Sequence, residues 1–283
     1  MQESIKKADV LIEALPYIQA FTGKTIVIKY GGSALDSPAA LKGILQDLVF
    51  LSAMGLRPVL LHGGGQEISK RIASAGKSST FINGRRVTDK ATMKIVNQAL
   101  GEVNQKLVEQ IQALGGQSVG LTAKQRVISA APHKDAKQLG YVGVVERVHK
   151  PAIRQVLEQS AVPVVSPVGV RGQLLYNINA DDAASMVAAS LHAEKLVLLT
   201  NVRGIMREPG NLASLIPTLT DKEAKLLMSR GVIQEGMIPK VNARITALRR
   251  GVKKTHIIDA SVPHALLLEI FTKTGIGTEI IQS

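Results

Sequence analysis

The stretch Thr25-Ile26-Val27-Ile28-Lys29-Tyr30-Gly31-Gly32-Ser33 decides the fold of this chain. Strand-forming residues end in Lys29, and two glycines follow at once. A second copy of the arrangement lies at Pro58–Gly65, where an apolar run ends in His62 and three glycines. Glycines between the end of a strand and the start of a helix let backbone N–H groups approach an anion. The two turns and the lysine therefore predict phosphate chemistry in which a phosphoryl group is held from two sides.

Composition indicates a large aliphatic core. The chain has 283 residues, of which 45% are hydrophobic and 20% charged, as in typical globular proteins. Aromatic residues make up only 3%, and there is no tryptophan. The absence of cysteine excludes disulfides and thiolate metal sites, and we expect a cytoplasmic protein. No run of about 18 apolar residues predicts a membrane span, and no signal peptide is evident.

The net charge of +13 suggests two kinds of partner. One is nucleic acid, bound through a basic patch. However, the clusters Arg249-Arg250 and Lys253-Lys254 are short, and no aromatic stacking residues lie between basic ones. We therefore favour charge spread over exposed faces, together with an active site for anionic ligands, and expect neither a nucleic-acid nor a membrane partner.

Short apolar strands alternate with amphipathic helices along most of the chain. We predict strands at 25–30, 57–62, 117–121, 126–130, 141–145, 163–166, 195–200, 256–259 and 278–281. Helices are expected at about 7–20, 37–54, 66–75, 89–114, 183–193, from 221, at 236–249 and at 262–271. This order predicts an α/β fold, a three-layer αβα sandwich with a central, mainly parallel sheet. We expect an N-terminal helix (residues 1–22), an N-terminal lobe (23–180) and a C-terminal lobe (181–283).

The N-terminal helix carries apolar residues three and four positions apart, but Pro16 should bend or break it. Its role stays open between packing on its own domain and pairing with a second subunit.

Two lysines stand where a lysine is unexpected. Lys29 ends a strand that should be buried, which is costly unless its ammonium reaches a cleft or a partner. Lys240 lies in the first turn of a helix, where a cation opposes the helix dipole unless an anion is bound there. Asp181 suits a helix N-cap better than its alternative role of orienting lysines around a phosphate.

Polar residues in two further segments suggest that a second anionic group binds, in addition to the phosphoryl group. Asn83–Asp89 is a turn with two arginines. One of them could clamp a carboxylate through two parallel N–H bonds, and the equally weighted alternative is a pair of exposed surface arginines. Asn177 and Asn179 alternate along an extended segment and should point the same way. His62 suits a turn or the core better than catalysis, and no histidine or carboxylate spacing predicts a fixed metal site.

With these segments in order, the chain resembles the amino-acid kinase superfamily, and within it the acetylglutamate kinases, over roughly residues 8–282. The motifs that carry the resemblance are Lys29–Gly32, His62–Gly65, Gly84–Asp89, Asn177–Asp181, Met237–Lys240 and Pro263–Phe271.

The resemblance implies transfer of the ATP γ-phosphoryl group to the side-chain carboxylate of N-acetyl-L-glutamate, in arginine biosynthesis, with Mg²⁺ bound by the nucleotide. It assigns Lys29 and Lys240 to the transferring phosphoryl group, with backbone N–H groups of Gly32 and Gly64, and Asp181 to holding the lysines. The implied acetylglutamate contacts are Gly64, Gly65, Asn177, Asn179 and Arg86, the last gripping the α-carboxylate. The implied nucleotide contacts are Gly31, Asn201, Val202, Gly204, Ile205, Gly236 and Met237.

The N-terminal helix resembles that of the arginine-inhibited members, in which such helices join three dimers into a hexamer. The resemblance therefore implies feedback inhibition by arginine, at a site formed by Tyr17, Glu269, Gly275 and Gly277. A homodimer and a homohexamer stay open, as does a PII signalling protein as an added partner.

Several positions depart from the family pattern, namely Asn201, Gln66, Gln105, Glu235 and Ala260-Ser261. None of them removes a residue of the phosphoryl site, so we predict an active enzyme. The alternatives are another kinase of the superfamily, acting on aspartate, glutamate, carbamate, a nucleoside monophosphate or a carrier-linked aminoadipate, and a non-catalytic arginine-sensing regulatory protein.

Overall fold

The computed structural model of the protein describes residues 1–31, 37–208, 210–234, 236–272 and 274–283, apart from the side chains at positions 3, 4, 6 and 7. Its helices are α1 (Gln2–Phe21), α2 (Pro38–Ala53), α3 (Gly65–Ser74), α4 (Lys90–Ala113), α5 (Ala136–Leu139), α6 (Lys150–Glu158), α7 (Ala180–Ser190), α8 (Asp221–Ser229), α9 (Ile238–Arg249) and α10 (Ala265–Ile270). Its strands are β1 (Thr25–Tyr30), β2 (Arg57–His62), β3 (Phe81–Ile82), β4 (Arg85–Arg86), β5 (Ser118–Leu121), β6 (Ile128–Pro132), β7 (Val142–Val148), β8 (Val162–Val165), β9 (Val168–Arg171), β10 (Leu174–Ile178), β11 (Lys195–Thr200), β12 (Thr218–Thr220), β13 (Lys254–Asp259) and β14 (Thr278–Ile281).

Eight strands of the described residues form one sheet in the order β12-β14-β13-β11-β1-β2-β8-β5. Strand β1 lies near its middle and pairs in parallel with β11 on one side and β2 on the other. Only the β13–β14 pair is antiparallel among the pairings described for this sheet. The predicted mainly parallel sheet is therefore confirmed, and the carboxyl ends of β1, β2 and β11 meet at one edge.

Helices cover both faces of the sheet. The side chain of Val27 faces a core formed with α6 and α7, whereas Ile26 and Ile28 face a core formed with α2, α4 and α10. These alternating, fully buried aliphatic residues explain why β1 reads as a continuous apolar run. The three-layer prediction is thus confirmed, and the site residues at the end of β1 rest on a rigid base.

Two smaller sheets flank the central one. Strands β6, β7, β9 and β10 close into a small barrel, in which β6 and β7 pair antiparallel. Strands β3 and β4 form a two-residue hairpin through Asn83 and Gly84, whose φ angles of 49° and 73° are typical of a type I′ turn.

Local chemistry explains three differences from the predicted elements. Helix α1 continues through Pro16 to Phe21 instead of breaking. Helix α7 begins at Ala180 because the side-chain oxygen of Asn179 accepts the N–H groups of residues 181 and 182; Asn179, not Asp181, is the N-cap. Helix α10 begins only after His264, whose φ of 54° interrupts a helix predicted from residue 262. None of the described helices is long and apolar enough to cross a membrane.

Candidate active site

The two glycine turns lie against each other at the carboxyl ends of β1 and β2. A Cβ atom at Gly31 would lie 3.1 Å from the Cα of Gly63 and 3.2 Å from the Nζ of Lys29. The N–H of Gly63 donates to the carbonyl oxygen of Tyr30 at 2.7 Å, which joins the turns. This close approach favours glycine at position 31, because a Cβ there would push the neighbouring turn or the Lys29 ammonium aside. Gly32 lies outside the described residues.

Lys29 points from the end of β1 to the first turn of α7. Its Nζ lies 3.1 Å from Oδ1 of Asp181, and only 8% of the lysine is exposed. Burial by itself would raise the pKa of Asp181, but the charges of Lys29, Arg244 and Lys240 together hold it below its usual value. The carboxylate is therefore ionised and surrounded by cations.

Lys240, in the first turn of α9, lies near enough to Asp181 for the two charges to interact. Its Nζ donates to Oγ1 of Thr200, at the end of β11, at 3.3 Å. Burial lowers the pKa of Lys240, and the positive charges of Lys29 and Arg244 lower it further, against the attraction of Asp181. The structure thus brings together the two lysines and the aspartate that the sequence singled out.

Arg244 completes this charged cluster of Lys29, Asp181, Lys240 and Arg244, and sequence reasoning missed it. It follows Lys240 by one turn of α9, is completely buried, and places its Nη2 3.7 Å from Oδ1 of Asp181. The i, i+4 spacing from Lys240 was the available signal, since it places both side chains on one face of the helix.

A cleft of about 350 Å³ opens beside the charged cluster, and we call it the Arg86 cleft. Its lining combines the second glycine turn, the β3–β4 hairpin and the segment before α7. The lining residues that sequence analysis had singled out are Lys29, Gly64, Gly65, Arg86, Asn177, Asn179 and Asp181.

Arg86 is held firmly at this cleft. Its Nη2 donates to the carbonyl oxygen of Gly65 at 2.9 Å and to Oγ of Ser69 at 2.8 Å, and its Nη1 donates to Ser79. The guanidinium also lies 4.7 Å from the ring centre of Phe81. Burial lowers the pKa of Arg86, whose reference value is so high that the side chain keeps its charge. A fixed, partly desolvated guanidinium is suited to bind a carboxylate.

The neighbouring polar residues of the cleft have separate tasks. Arg85 Nη2 lies 2.8 Å from Oδ2 of Asp182, which ties the hairpin to α7. Asn177 donates through Nδ2 to Oγ1 of Thr88 at 3.2 Å, and Asn179 caps α7. Both asparagines line the same cleft, as their alternation predicted.

A second, more apolar cleft of about 170 Å³ lies near the start of α9, and we call it the Met237 cleft. Its lining includes four of the predicted nucleotide residues, Val202, Gly204, Ile205 and Met237. Asn201 and Gly236 are exposed next to these residues in the chain, and Gly31 lies in the first glycine turn. Apolar walls of this kind suit a planar base. Glu235 lies outside the described residues.

A separate group of buried charges lies around Glu269 in α10. His256 Nδ1 donates to Oε1 of Glu269 at 2.6 Å, and the N–H of Ile276 donates to Oε2 at 2.8 Å. Burial would raise the pKa of Glu269, but the hydrogen bond and charge of His256 lower it. Lys195 Nζ lies 3.4 Å from Nε2 of His256 on the other side.

Of the other residues of the predicted arginine site, Gly275 lies directly against Glu269. Gly275 has a φ of +63°, and a Cβ there would lie 2.7 Å from Oε2 of Glu269. Gly277 packs against Ile257. The ring of Tyr17 packs edge-on against Phe271, just after α10, with ring centres 6.3 Å apart.

His62 is a core residue, in line with the sequence interpretation. Its ring is completely buried, Nδ1 lies 2.7 Å from the carbonyl oxygen of Gly63, and Nε2 lies 3.1 Å from both Asn104 Nδ2 and Ser166 Oγ. Burial lowers the pKa of His62 to about 4, so the ring is neutral at pH 7.

Comparisons with known proteins agree with this geometry. The model of the amino acid kinase family matches residues 24–259. The acetylglutamate kinase of Moorella thermoacetica is 48% identical over 98% of both chains, and that of Desulforamulus reducens is 45% identical over the full length of both. Among solved structures, the N-acetylglutamate synthase of Neisseria gonorrhoeae is 29% identical.

That synthase was solved with coenzyme A and N-acetyl-glutamate (TM-score 0.86) and with coenzyme A and L-arginine (TM-score 0.83). Both alignments cover 96% of this chain, which spans only 63% and 64% of the longer synthase chains. The fold, the charged cluster and the full-length relatives agree, and the chain belongs to the amino acid kinase family and, within it, to the acetylglutamate kinases.

Proposed function

We propose that this protein transfers the γ-phosphoryl group of ATP to the side-chain carboxylate of N-acetyl-L-glutamate, which yields N-acetyl-L-glutamyl 5-phosphate for arginine biosynthesis. The observation that carries the proposal is the charged cluster, in which Lys29 and Lys240 flank Asp181 beside the Arg86 cleft. Full-length relatives named acetylglutamate kinase supply the identity of the acceptor.

The chemistry requires charge stabilisation and no general base. A carboxylate acceptor with a reference pKa of about 4 is ionised at neutral pH, so the obstacle is the approach of two anions. Lys29 and Lys240 would stabilise the charge on the transferring phosphoryl group from two sides, while Asp181 holds them in place. The backbone N–H of Gly64, at the start of α3, and that of Gly32 would donate to the same group.

The acceptor would bind in the Arg86 cleft. Arg86 would take its α-carboxylate, with Gly64, Gly65, Asn177 and Asn179 as further polar contacts. Arg86 and Lys29 both line this one cleft, so an acceptor with two carboxylates can present one to each. This division supports a dicarboxylic acceptor over carbamate, which has only one carboxylate.

The nucleotide would place its base in the Met237 cleft and its phosphates towards Lys240 and the Gly31 turn. Among the described residues, no group of three or more histidine, cysteine, aspartate or glutamate side chains could hold a metal ion. The carboxylate of Asp181 is already surrounded by cations. These residues fit Mg²⁺ carried on the phosphates of ATP, where it would neutralise part of their charge.

Release of ADP by the purified protein tests the proposal, with Mg-ATP and N-acetyl-L-glutamate beside glutamate, aspartate and carbamate as acceptors. We expect turnover with acetylglutamate alone. Turnover with only one of the other acceptors would identify that acceptor as the substrate instead of acetylglutamate. If the protein is folded and binds ATP but turns over none of the acceptors, the proposal is overturned in favour of a regulatory role.

We further propose feedback inhibition by arginine at the group around Glu269. A buried carboxylate beside Gly275, on the helix that precedes the Phe271 ring packed against Tyr17, suits a guanidinium with an aliphatic stem. The related synthase solved with L-arginine supports a ligand of this kind on the same fold. Activity that stays unchanged at millimolar arginine would remove this proposal.

The assembly proposed is a homodimer, or a homohexamer formed from three dimers through α1. Apolar side chains of α1 are widely exposed, with 63% of Val10, 64% of Leu11 and 68% of Ile12 accessible. A single subunit leaves these apolar side chains in water. Leu11→Asp should therefore convert a hexamer into dimers in light-scattering measurements, and an unchanged mass would exclude α1 as the contact. The lobe boundary near residue 180, a PII partner and a cytoplasmic location stay predictions.

A further inference from the structure

We propose that Arg244 is a positioning residue for phosphoryl transfer. Its guanidinium competes with Lys29 and Lys240 for the negative charge of Asp181, and this keeps both lysines available to the phosphoryl group. This inference rests on the proposed function. It concerns a residue that takes no part in the contacts assigned above to either substrate.

The burial of Arg244 requires an explanation. None of its side chain is exposed, and a buried guanidinium is unfavourable unless an opposite charge and hydrogen bonds compensate it. Its Nη2 lies 3.7 Å from Oδ1 of Asp181, and its Nη1 donates to Oγ of Ser185 at 3.4 Å. Its Nε and Nη2 make no hydrogen bond within the described part of the chain. Asp181 is therefore its principal compensating partner, with Asp182 as a further negative charge nearby.

The contacts of Arg244 fix α9 on α7. Ser185 follows Asp181 by one turn, and its hydroxyl donates to the carbonyl oxygen of Asp181 at 2.8 Å. Arg244 therefore touches two successive turns of one face of α7. Lys240 lies one turn before Arg244 on α9, so the same contact sets the distance of Lys240 from Asp181. Catalytic contacts are often long in a substrate-free enzyme and shorten when substrates bind, which the 3.7 Å separation allows.

The charge of Arg244 also acts on the lysines. The groups that face Lys240 are Asp181 from α7, Lys29 from β1 and Arg244 from its own helix, together with the hydroxyl of Thr200. One carboxylate facing three cations cannot neutralise them all. Without Arg244, Asp181 would bind the two lysines more strongly, which would withdraw them from the phosphoryl group. Burial lowers the pKa of Lys240, and the positive charge of Arg244 contributes to that lowering.

Arg244→Met tests the proposal, because methionine keeps an unbranched chain but no charge. We expect turnover to fall about 10²-fold, as for misplaced catalytic groups, with the KM for acetylglutamate little changed. The alkaline limb of the pH–rate profile should move to higher pH, since the pKa of Lys240 rises when a neighbouring cation is lost. Arg244→Lys, which restores the charge, should return the limb to the wild-type position and recover most of the turnover.

Arg249→Met is the matched control, because it removes an exposed arginine from the same helix and should leave the profile unchanged. An unmoved alkaline limb in Arg244→Met, or Arg244→Lys no better than Arg244→Met, would overturn the positioning role. If Arg244→Met does not fold, Arg244→Lys decides alone, since a displaced limb in that charge-conserving variant contradicts the proposal. Wild-type activity towards acetylglutamate tests the proposed function separately.

Discussion

The guanidinium of Arg86 donates to the carbonyl oxygen of Gly65 at 2.9 Å, and both residues line the Arg86 cleft. This hydrogen bond connects the residue proposed to bind the acceptor with the glycine turn proposed to receive the phosphoryl group. Binding of a carboxylate at Arg86 and the geometry of the turn are therefore coupled through one short contact.

Arg86→Met should raise the KM for acetylglutamate about 10- to 100-fold, because a charged hydrogen bond contributes about 1.5–3 kcal/mol. Turnover should fall less, since the reacting carboxylate binds elsewhere. Steady-state kinetics with varied acetylglutamate measure both constants.

Arg85→Met is the matched comparison, because Arg85 is the adjacent residue and its partner is Asp182 rather than the glycine turn. We expect the KM to change less than about fivefold, as for other partly exposed ion pairs. A larger effect of Arg85→Met than of Arg86→Met would exchange the proposed roles of the two arginines.

Lys29→Met and Lys240→Met should each lower turnover about 10²- to 10³-fold, by comparison with the loss of one oxyanion-stabilising donor. Each variant loses one of the two positive charges proposed to face the transferring group. Rates of ADP release at saturating substrate concentrations, measured for each variant and for the wild type, give the loss of turnover. Near-wild-type turnover in either variant would exclude that lysine from the phosphoryl site.

Gly275→Ala should abolish inhibition by arginine while activity without arginine is retained. The new Cβ would lie 2.7 Å from Oε2 of Glu269, and a φ of +63° is unfavourable for alanine. Both effects displace the carboxylate proposed to bind the guanidinium. Gly172→Ala is the control, since Gly172 has a similar φ of +58° but open space around it. Inhibition that survives in Gly275→Ala would place the arginine site elsewhere.

Acidification should destabilise the protein through His62. Its pKa is about 4 in the folded protein and 6.5 in the unfolded chain, so only the unfolded chain binds a proton between these values. The free energy of unfolding therefore falls as the pH drops from 6.5 to about 4, by roughly 3 kcal/mol in total.

His62→Gln removes this titration, and its unfolding free energy should depend less steeply on pH than that of the wild type. Denaturant unfolding at a series of pH values measures the difference, with the exposed His149→Gln as control. Parallel pH dependences of wild type and His62→Gln would contradict the buried, neutral histidine.

The sequence allowed the main features of the site to be predicted because each one departs from a local rule. A lysine at the end of a buried strand and a lysine in the first turn of a helix are both unfavourable without an anion. In the structure Lys29 pairs with Asp181 and the charge of Lys240 acts on the same carboxylate, and the mainly parallel sheet is confirmed.

Other features depend on tertiary contacts that no local pattern contains. Arg244 lies on a helix whose other arginine, Arg249, is exposed, and only its packing against α7 makes it a buried residue. Asn179 and Asp181 are both common N-cap residues, and the start of α7 depends on which side chain reaches the free N–H groups. Pro16 removes one hydrogen bond from α1, which the remaining turns of a 20-residue helix tolerate.

The position of Phe81 is suited to a fluorescent reporter of acceptor binding. Its ring lies 4.7 Å from the guanidinium carbon of Arg86, with 54% of the side chain exposed, and the chain contains no tryptophan. Phe81→Trp would therefore introduce a single indole directly beside the arginine. A carboxylate that approaches Arg86 would change the field around this fluorophore, so that the emission spectrum would report acceptor binding without turnover.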